Sequence, residues 1–384
     1  MTNYLNRRGF LKVNGAAGLV AGSALSGGAH AKIARQPDLI YGPPAGVAKL
    51  NANENPFGPS PRAMVAMMDA AKKGAYYVGD SVQRLKAMIA ERHGVTPEYV
   101  SLSSGSSGVL SYLAVAMTKR GHILGPDLFW DTTAKAGVRQ GGEIKRLPKT
   151  SDLSIDLKAM EKAITPETSM VQVTNPNNPT GMLLDGNDLR SFCLRAAKKT
   201  MVLVDEAYNE LTEKPEFNSM VPLVKAGHNV VVARTFSKIY GLAGMRVGYM
   251  ISSPETAAIL NQYGLGDYAM NQAGVAAAVA SYDDTQFLAM TKSNIIESRE
   301  ALTEAVRAQG LKPLPSETNF VFVDLGNMNA EAFRSAMADQ NVLIRGIYRD
   351  YVNYSRVSMG YPKDVEQYIA ALPQVVDKVG ALTA

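Results

Sequence analysis

The sequence predicts an α/β fold in which a mostly parallel sheet, flanked by helices, is followed by a smaller α+β C-terminal domain. Short apolar runs alternate with amphipathic helical patterns between about residues 70 and 260, and this alternation is typical of parallel strands joined by crossover helices. The 384 residues exceed one ordinary hydrophobic core, which favours two domains. An apolar content of 46% indicates a globular body.

The predicted strands are apolar runs of four to six residues that end in polar or glycine-containing loops. They are Val100–Ser103, His122–Gly125, Met170–Thr174, Met201–Asp205, Val230–Thr235 and Val247–Ile251. Apolar residues recur at helical spacing in Ser107–Lys119 and Asn187–Lys198, and a longer helical pattern covers Asp284–Gln309. Ligands bind at the carboxyl ends of the strands in such sheets, so polar residues there are the first site candidates.

The segment RTFSKIYGLAGMRVGY, which starts at Arg234, carries the strongest functional signal. It places Lys238 between a pair of hydroxyl residues, Thr235 and Ser237, and Arg246, which lies eight residues further on. A lysine amine in a crowded interior loses its charge more readily than in water, and it can form a Schiff base with an aldehyde. Hydroxyls and a guanidinium suit a phosphate. An aldehyde and a phosphate on one small molecule describe pyridoxal phosphate, while a surface lysine in an ordinary loop is the alternative.

Two further strand ends carry polar residues that suit the same cofactor. Asp205 ends the strand in MVLVDEAY, and a buried carboxylate there needs a cation such as the protonated pyridine nitrogen. The ring then acts as an electron sink for a carbanion at the substrate's alpha carbon. Tyr208 and Asn178, the latter in VQVTNPNNPTG, can reach the ring's phenolic oxygen. A salt-bridged strand end and a simple turn are the alternatives.

In this order, the motifs resemble those of the fold type I pyridoxal-phosphate enzymes, aminotransferase class I/II, and within them the histidinol-phosphate aminotransferase branch. The resemblance extends from about Leu50 to the C-terminus, and LNANENPFGPSP is similar to the branch's N-terminal signature. It implies a large domain with a seven-stranded type of sheet, a homodimer with shared active sites, and a ping-pong aminotransferase acting through an aldimine on Lys238. The implied cofactor contacts are Ser106, Ser107, Trp130, Asn178, Asp205, Tyr208, Thr235, Ser237, Lys238, Arg246 and Tyr77.

Four of these contacts rest on three less regular motifs. SSGSSGVL resembles the family's glycine-rich loop, where backbone N–H groups of Ser106 and Ser107 at a helix N-terminus hold the phosphate. GPDLFWDTT stands where the family has a Pro-Thr-aromatic element, and it makes Trp130 the ring-stacking residue with Phe129 as the alternative. YYVGD stands where the branch has Tyr-Pro-Asp, and it assigns Tyr77 to a phosphate across the dimer interface.

The resemblance also implies a set of substrate contacts. YSRVSMG is similar to the motif whose arginine pairs with a substrate carboxylate, which gives that role to Arg356. Arg345 in VLIRG is a second anion contact or a solvated strand end. Asn319 in ETNFVFVDL and Asn55 in the N-terminal signature complete the set. We expect an amino acid donor, monocarboxylic or aromatic, and a 2-oxo acid acceptor.

The first part of the chain carries a separate signal. It contains NRRGFLK, in which Arg7 and Arg8 are adjacent, followed by a mildly apolar stretch from Val13 to Leu25 and by AHA at Ala29–Ala31. This combination predicts a cleavable twin-arginine signal over residues 1–31, which requires the export machinery and gives a periplasmic location. A cytoplasmic location is the alternative. The apolar run is too short to span a bilayer, so no membrane span is expected in the mature form.

The remaining residues are predicted to divide into three segments. Residues 32–69 form an arm that joins the small domain or the partner subunit, residues 70–262 form the large cofactor-binding domain, and residues 263–384 form the small C-terminal domain. No internal repeat is apparent.

Composition argues against several other classes of protein. Residues 1–31 carry three of the basic residues and no acid, so without them the formal charge falls from +5 by three to +2. We find no basic patch that indicates nucleic acid binding. The single Cys193 cannot form an internal disulfide, and the four histidines lack metal-ligand spacing, so we expect no metal.

Two alternative functions share these motifs. A lyase acting by beta-elimination or a decarboxylase uses the same carbanion and differs in which substrate bond is broken. A cofactor-binding transcription regulator combines this fold with a DNA-binding domain, for which the residues before Leu50 leave no room.

Overall fold

The computed structural model describes residues 41–148 and 150–382, and the predicted signal at residues 1–31 lies outside them. From Pro43 onward the chain forms one compact unit, and the predicted domain boundary at residue 262 stays a prediction. The strands are β1 (Ala48–Lys49), β2 (Val100–Ser104), β3 (His122–Gly125), β4 (Ile144–Arg146), β5 (Thr168–Thr174), β6 (Met201–Asp205), β7 (Val230–Thr235), β8 (Val247–Ile251), β9 (Lys312–Pro313), β10 (Phe320–Asp324), β11 (Val342–Leu343) and β12 (Tyr354–Ser358).

The α-helices connect and cover these strands. They are α1 (Pro61–Ala71), α2 (Asp80–His93), α3 (Ser106–Thr118), α4 (Ala134–Val138), α5 (Leu157–Lys162), α6 (Gly186–Ala196), α7 (Pro215–Asn218), α8 (Val221–Lys225), α9 (Pro254–Asn261), α10 (Gln272–Tyr282), α11 (Thr285–Ala308), α12 (Ala330–Ala338) and α13 (Pro362–Gly380). None of the helices in the described part of the chain has the length and apolar character needed to cross a bilayer.

A seven-stranded sheet forms the centre of the fold, with the strand order β2-β8-β7-β6-β5-β3-β4. Neighbouring strands run parallel except where β8 lies antiparallel to β2 and β7. Every residue of β6 and β7 is buried, because helices cover both faces of the sheet and the sequence there is a continuous apolar run. The predicted α/β class and the mostly parallel sheet are confirmed.

The sequence also predicts the boundaries of six strands and three helices to within two residues. Strands β3, β6, β7 and β8 have the predicted limits, and helices α3, α6 and α11 begin and end within two residues of them. Strand β4 was missed, because it has three residues at the sheet edge, none of which is fully buried, and so it lacks a distinct apolar run.

The C-terminal part builds a second sheet. Strands β12, β10 and β9 form an antiparallel sheet, against which α11 and α12 pack, while α13 packs against these two helices and against β1 and β11. Strand β1 pairs with β11 in parallel, which ties the start of the described chain to this part. Helix α10, although it follows residue 262, packs against α1 and α2. The carboxyl ends of β5, β6 and β7 therefore face residues supplied from both ends of the chain.

Candidate active site

A cavity of about 610 Å³ lies at the carboxyl ends of β5, β6 and β7. Its size suits a cofactor together with a small substrate. Twelve of the predicted site residues line it: Ser106, Ser107, Trp130, Asn178, Asp205, Tyr208, Thr235, Ser237, Lys238, Arg246, Arg345 and Arg356.

Lys238 follows β7 and extends its amine into the cavity. The Lys238 Nζ donates a hydrogen bond to the backbone oxygen of Asn53 at 2.8 Å. Its pKa is lowered to about 8, first by burial and then by the positive charge of Arg356, against the opposing effect of Asp205. A substantial fraction of this amine is therefore uncharged near neutral pH, which a nucleophile or general base requires.

A cluster of donors lies at one end of the cavity, beside the N-terminus of α3. The Arg246 guanidinium donates to Ser107 Oγ at 2.9 Å and to Ser237 Oγ at 3.4 Å, and Thr235 Oγ1 donates to Ser237 Oγ at 3.0 Å. The N-cap residue has no capping side chain, Ser103 Oγ accepts from the Val109 N–H at 2.9 Å and the Gly105 oxygen accepts from the Gly108 N–H, which leaves the Ser106 and Ser107 N–H groups for an anion. Gly105 has a φ of +71°, and an added Cβ would lie 2.1 Å from Arg246 Nη2. Only glycine fits there, so the arginine can approach the helix.

Asp205 also lines the cavity, where it is held at the end of β6 with 2% of its surface exposed. Its carboxylate accepts a hydrogen bond from the Ala207 N–H at 3.2 Å, and burial raises its pKa to about 7. A carboxylate in this environment requires a cation to remain charged at neutral pH.

Tyr208 occupies the space beside Asp205. The side-chain amides of Asn53 and Asn178 both donate to its hydroxyl oxygen, at 2.9 and 3.3 Å. Burial raises the pKa of Tyr208, so the phenol stays protonated. Because its oxygen accepts both of these bonds, the Tyr208 hydroxyl proton is free for an acceptor in the cavity. Both Asn–Pro bonds of the adjoining loop, at Pro176 and Pro179, are cis.

Trp130 and Phe129 both line the cavity. The Phe129 ring is 5% exposed and lies against Gly125, where an added Cβ would be 2.6 Å from it. Arg146 covers the same ring at 4.8 Å. Phe129 is therefore largely engaged in the core, and Trp130, which is less buried, stays the predicted stacking residue.

Arg356 projects from β12 into the cavity. Its Nη1 donates to Asn178 Oδ1 at 2.9 Å and its Nη2 to the Asn51 backbone oxygen at 3.4 Å, while the buried Nε has no hydrogen-bond partner among the residues that the structure describes. Arg345 pairs with Arg356 through backbone hydrogen bonds, and its guanidinium lies 5.4 Å from the Tyr348 ring. Two arginines thus meet at the end of the cavity away from the helix N-terminus, which we call the substrate end.

Three predicted site residues do not line this cavity. Tyr77 is 85% exposed and its ring contacts Tyr268 edge-to-face. Asn55 donates to the backbone oxygen of Ile239 at 2.7 Å, and Asn319 donates to that of Glu54 at 3.0 Å. Both asparagines therefore support the backbone around the site in this chain.

Asn53 and the buried pair of Glu206 and Arg234 were not predicted as site residues. Asn53 lies two residues before Asn55, and the local pattern alone does not distinguish between them. Glu206 accepts from Arg234 Nη2 at 2.7 Å and from the Met220 N–H at 2.6 Å. Two adjacent acids at a strand end point to opposite faces, and this alternation is a signal that could have identified Glu206 as structural.

These groups match the chemistry of pyridoxal phosphate. A phosphate fits the donors around Arg246, a protonated pyridine nitrogen fits the buried Asp205, and the phenolic oxygen fits Tyr208 and Asn178. Lys238 is the amine that the aldehyde requires. The fold and the site together define a fold type I pyridoxal-phosphate enzyme.

Comparisons with known proteins agree with this class. Residues 45–372 match the family aminotransferase class I and II. The chain is 34% identical to a histidinol-phosphate aminotransferase of Moorella thermoacetica over 332 residues, covering 86% of each chain, and 34% identical to histidinol-phosphate aminotransferase 2 of Ralstonia nicotianae, covering 88% and 91%. The crystal structure of histidinol-phosphate aminotransferase from Sinorhizobium meliloti in complex with pyridoxal 5'-phosphate superposes with a TM-score of 0.77, at 30% identity, over 86% and 91% of the two chains. The chain belongs to the aminotransferase class I and II family. It is a pyridoxal-phosphate-dependent aminotransferase.

Asp205 predicts a pH-dependent stability of the cofactor-free enzyme. Because its pKa is raised from 3.8 to about 7, this carboxyl stabilises the fold below its ordinary pKa, and the contribution is lost as the pH rises through 7. Between about pH 5 and pH 8, the melting temperature of the cofactor-free wild type should fall by several degrees relative to Asp205→Asn. Saturation with pyridoxal phosphate should remove this fall, since a cation then favours the charged carboxylate. Parallel melting profiles of the two cofactor-free proteins would contradict the argument.

Proposed function

We propose that the enzyme transfers the amino group of an L-amino acid, monocarboxylic or aromatic, to a 2-oxo acid, and that Arg356 binds the donor's carboxylate. The observation that carries this proposal is the buried Arg356 guanidinium with an unpartnered Nε at the substrate end of the cavity. A guanidinium with free N–H groups in a low-dielectric site is suited to a carboxylate, which it binds through two parallel hydrogen bonds.

Pairing of the other charges supports this choice. Four cationic side chains line the substrate end: Lys135, Arg345, Arg349 and Arg356. Lys135 pairs with Asp131 at 3.0 Å and Arg349 with Asp127 at 2.6 Å. Within residues 41–148 and 150–382, no carboxylate lies within ion-pair distance of Arg345 or Arg356. These two arginines are the cations available to a substrate anion.

Lys238 and the residues around it have separate roles in the reaction. When bound, pyridoxal phosphate supplies an electron-withdrawing ring that stabilises negative charge at the substrate's alpha carbon. Lys238 Nζ, with its lowered pKa, can accept and return a proton at that carbon. The Tyr208 hydroxyl can donate a hydrogen bond to an anionic oxygen. The buried Asp205 carboxylate can pair with a cation. Both half-reactions use one pocket in turn, which predicts ping-pong kinetics.

L-Histidinol phosphate is a second candidate donor. Relatives that share about a third of the sequence are named histidinol-phosphate aminotransferases. Two unpaired arginines, Arg345 and Arg356, also suit the double negative charge of a phosphate monoester.

Donor specificity can be tested with the purified enzyme and 2-oxoglutarate. The donors are L-histidinol phosphate, aromatic amino acids and monocarboxylic amino acids, and formation of glutamate is measured. Arg356→Gln should lower kcat/KM about a hundredfold for the preferred donor, because a buried charge-assisted pair is lost. Arg345→Gln should affect the phosphate donor more than a monocarboxylic one.

The exposed Arg334→Gln, whose native partner is Glu331, is the control. Release of ammonia and a 2-oxo acid without glutamate would indicate elimination instead.

We also propose that the enzyme is a homodimer and that Tyr77 reaches the partner's cofactor phosphate. The outer face of α1 exposes Met64, Val65 and Met68, while its inner face packs against α10. Tyr77 and Tyr268 are both largely exposed beside α10, whose Gln272 side chain donates to the Tyr76 backbone oxygen at 2.8 Å. An exposed apolar surface of this kind is typical of a protein interface, and a second copy of the chain is the partner we propose.

The shared site can be tested by mixing two inactive variants. Lys238→Ala and Tyr77→Ala are refolded separately and together, and the activity of each preparation is measured. The mixture should exceed the sum of the two, since a mixed dimer contains one site with an intact Lys238 and an intact Tyr77 from the other subunit. Sedimentation should give a dimer for both variants. A monomer, or activity in the mixture equal to the sum, would contradict the proposal.

We propose in addition that residues 1–31 are a twin-arginine signal and that the mature enzyme is periplasmic. The support is the adjacent Arg7 and Arg8, the short apolar stretch and the AHA pattern that ends at Ala31. Replacing both arginines with lysine keeps the charge and should retain the protein in the cytoplasm at its full precursor mass. Cell fractionation and mass spectrometry of the N-terminus measure both effects. An unchanged distribution between fractions would exclude this route.

A further inference from the structure

We propose that Asp127 is a positioning residue for substrate binding, because its carboxylate joins the two loops that enclose the substrate end of the cavity. The first loop, residues 126–133, carries Trp130. The second, residues 344–351, carries Arg345, Tyr348 and Arg349. The consequence for donor binding rests on the proposed role of Arg356 and Arg345, whereas the link between the loops does not.

Asp127 accepts hydrogen bonds from two residues of the second loop. Arg349 Nη1 donates to Asp127 Oδ1 at 2.6 Å and to the Asp127 backbone oxygen at 2.7 Å. The Tyr351 hydroxyl donates to the other carboxylate oxygen. One short side chain thus accepts a charged donor and a neutral donor from residues more than 220 positions away in sequence. The Asp127 side chain is 18% exposed, so water screens this ion pair only in part.

Both loops also have contacts besides the Asp127 carboxylate. Tyr351 is buried and packs in an apolar cluster with Leu128 of the first loop, with Leu153 and with Phe322 of β10. Burial and the Asp127 carboxylate raise the pKa of Tyr351, so its hydroxyl remains a donor. Arg146 in β4 donates to the Asp127 backbone oxygen at 2.9 Å and also pairs with the Asp131 carboxylate. The first loop is therefore fixed to the central sheet and the second to the C-terminal part.

The backbone at Arg349 indicates that its orientation depends on a tertiary contact. Its φ is +50°, in the left-handed region that residues other than glycine rarely adopt. Such a conformation persists where surrounding interactions determine it, and the bonds from the Arg349 guanidinium to Asp127 are interactions of this kind. Without Asp127, the part of the second loop around Tyr348 and Arg349 is expected to relax, while Arg345 keeps its backbone hydrogen bonds to Arg356.

The same pair also determines the charge at the substrate end. Asp127 neutralises Arg349, which leaves Arg345 and Arg356 as the two cations at the substrate end without a carboxylate partner among the described residues. Loss of Asp127 frees a third cation beside them, which by itself would attract an anion. The looser loop has the opposite effect, because it misplaces the groups that contact the donor, and neither change acts on Lys238.

The test uses the holoenzyme and the variants Asp127→Asn, Arg349→Met and the double variant. Asp127→Asn should raise the KM of the preferred donor about tenfold while kcat stays within about twofold, because an ion pair is lost at the substrate end only. The double variant should be no worse than the more severe single variant, since both changes remove the same contact. Asp339→Asn, which removes an exposed ion pair with Lys378, should leave KM unchanged. An unchanged KM in Asp127→Asn, or effects that multiply in the double variant, would overturn the proposal.

A second measurement does not depend on the substrate. Trp130 is the only tryptophan of the chain, so its fluorescence reports on the first loop. Acrylamide should quench it more strongly in Asp127→Asn and in Tyr351→Phe than in the wild type, while Asp339→Asn matches the wild type. If no tested donor is a substrate but quenching changes as expected, the proposed function fails and the loop contact stands. Identical quenching in all four proteins would refute the contact between the loops.

Discussion

The burial of one carboxylate at the end of β6 is the constraint on which the rest of the site depends. Asp205 and Glu206 are adjacent acids that are almost completely inaccessible to solvent. Glu206 is neutralised behind the sheet by Arg234 and by the Met220 N–H. Asp205 faces the cavity with a single backbone donor, from Ala207. The protein thus provides hydrogen-bond and ion-pair partners for Glu206, whereas Asp205 needs a cation, which the cofactor supplies.

Two residues beside that carboxylate, Lys238 and Tyr208, have pKa values that are shifted in opposite directions. Lys238 has a lowered pKa because it is buried and lies near Arg356, while Tyr208 has a raised pKa because it is buried. Burial disfavours the charged form in both cases, so the amine is biased toward its basic form and the phenol toward its acidic form. Near neutral pH the site therefore holds an amine that loses its proton more easily than an ordinary lysine, beside a phenol that remains a hydrogen-bond donor.

Most of the fold, and the cofactor end of the site, could be predicted because their signals are local. Strand β6 consists of four apolar residues followed by Asp205 at its carboxyl end. The loop after β7 carries Ser237 and Lys238 within three residues of the end of that strand. A sheet brings such strand ends together whatever the rest of the chain does. Signals of this kind were absent for Asn53, whose contact with Tyr208 spans 155 residues, and for Asp127.

The sequence by itself determined the strand pattern, the lysine, the aspartate and the phosphate-binding groups, because periodicity and residue type within a few positions specify them. The tertiary structure decided which charges are paired. Arg349 and Arg356 are both arginines of one short C-terminal segment, yet Asp127 neutralises the first and leaves the second free. The Coulomb energy between two groups depends on their separation and on burial, and both are set by packing between segments distant in sequence.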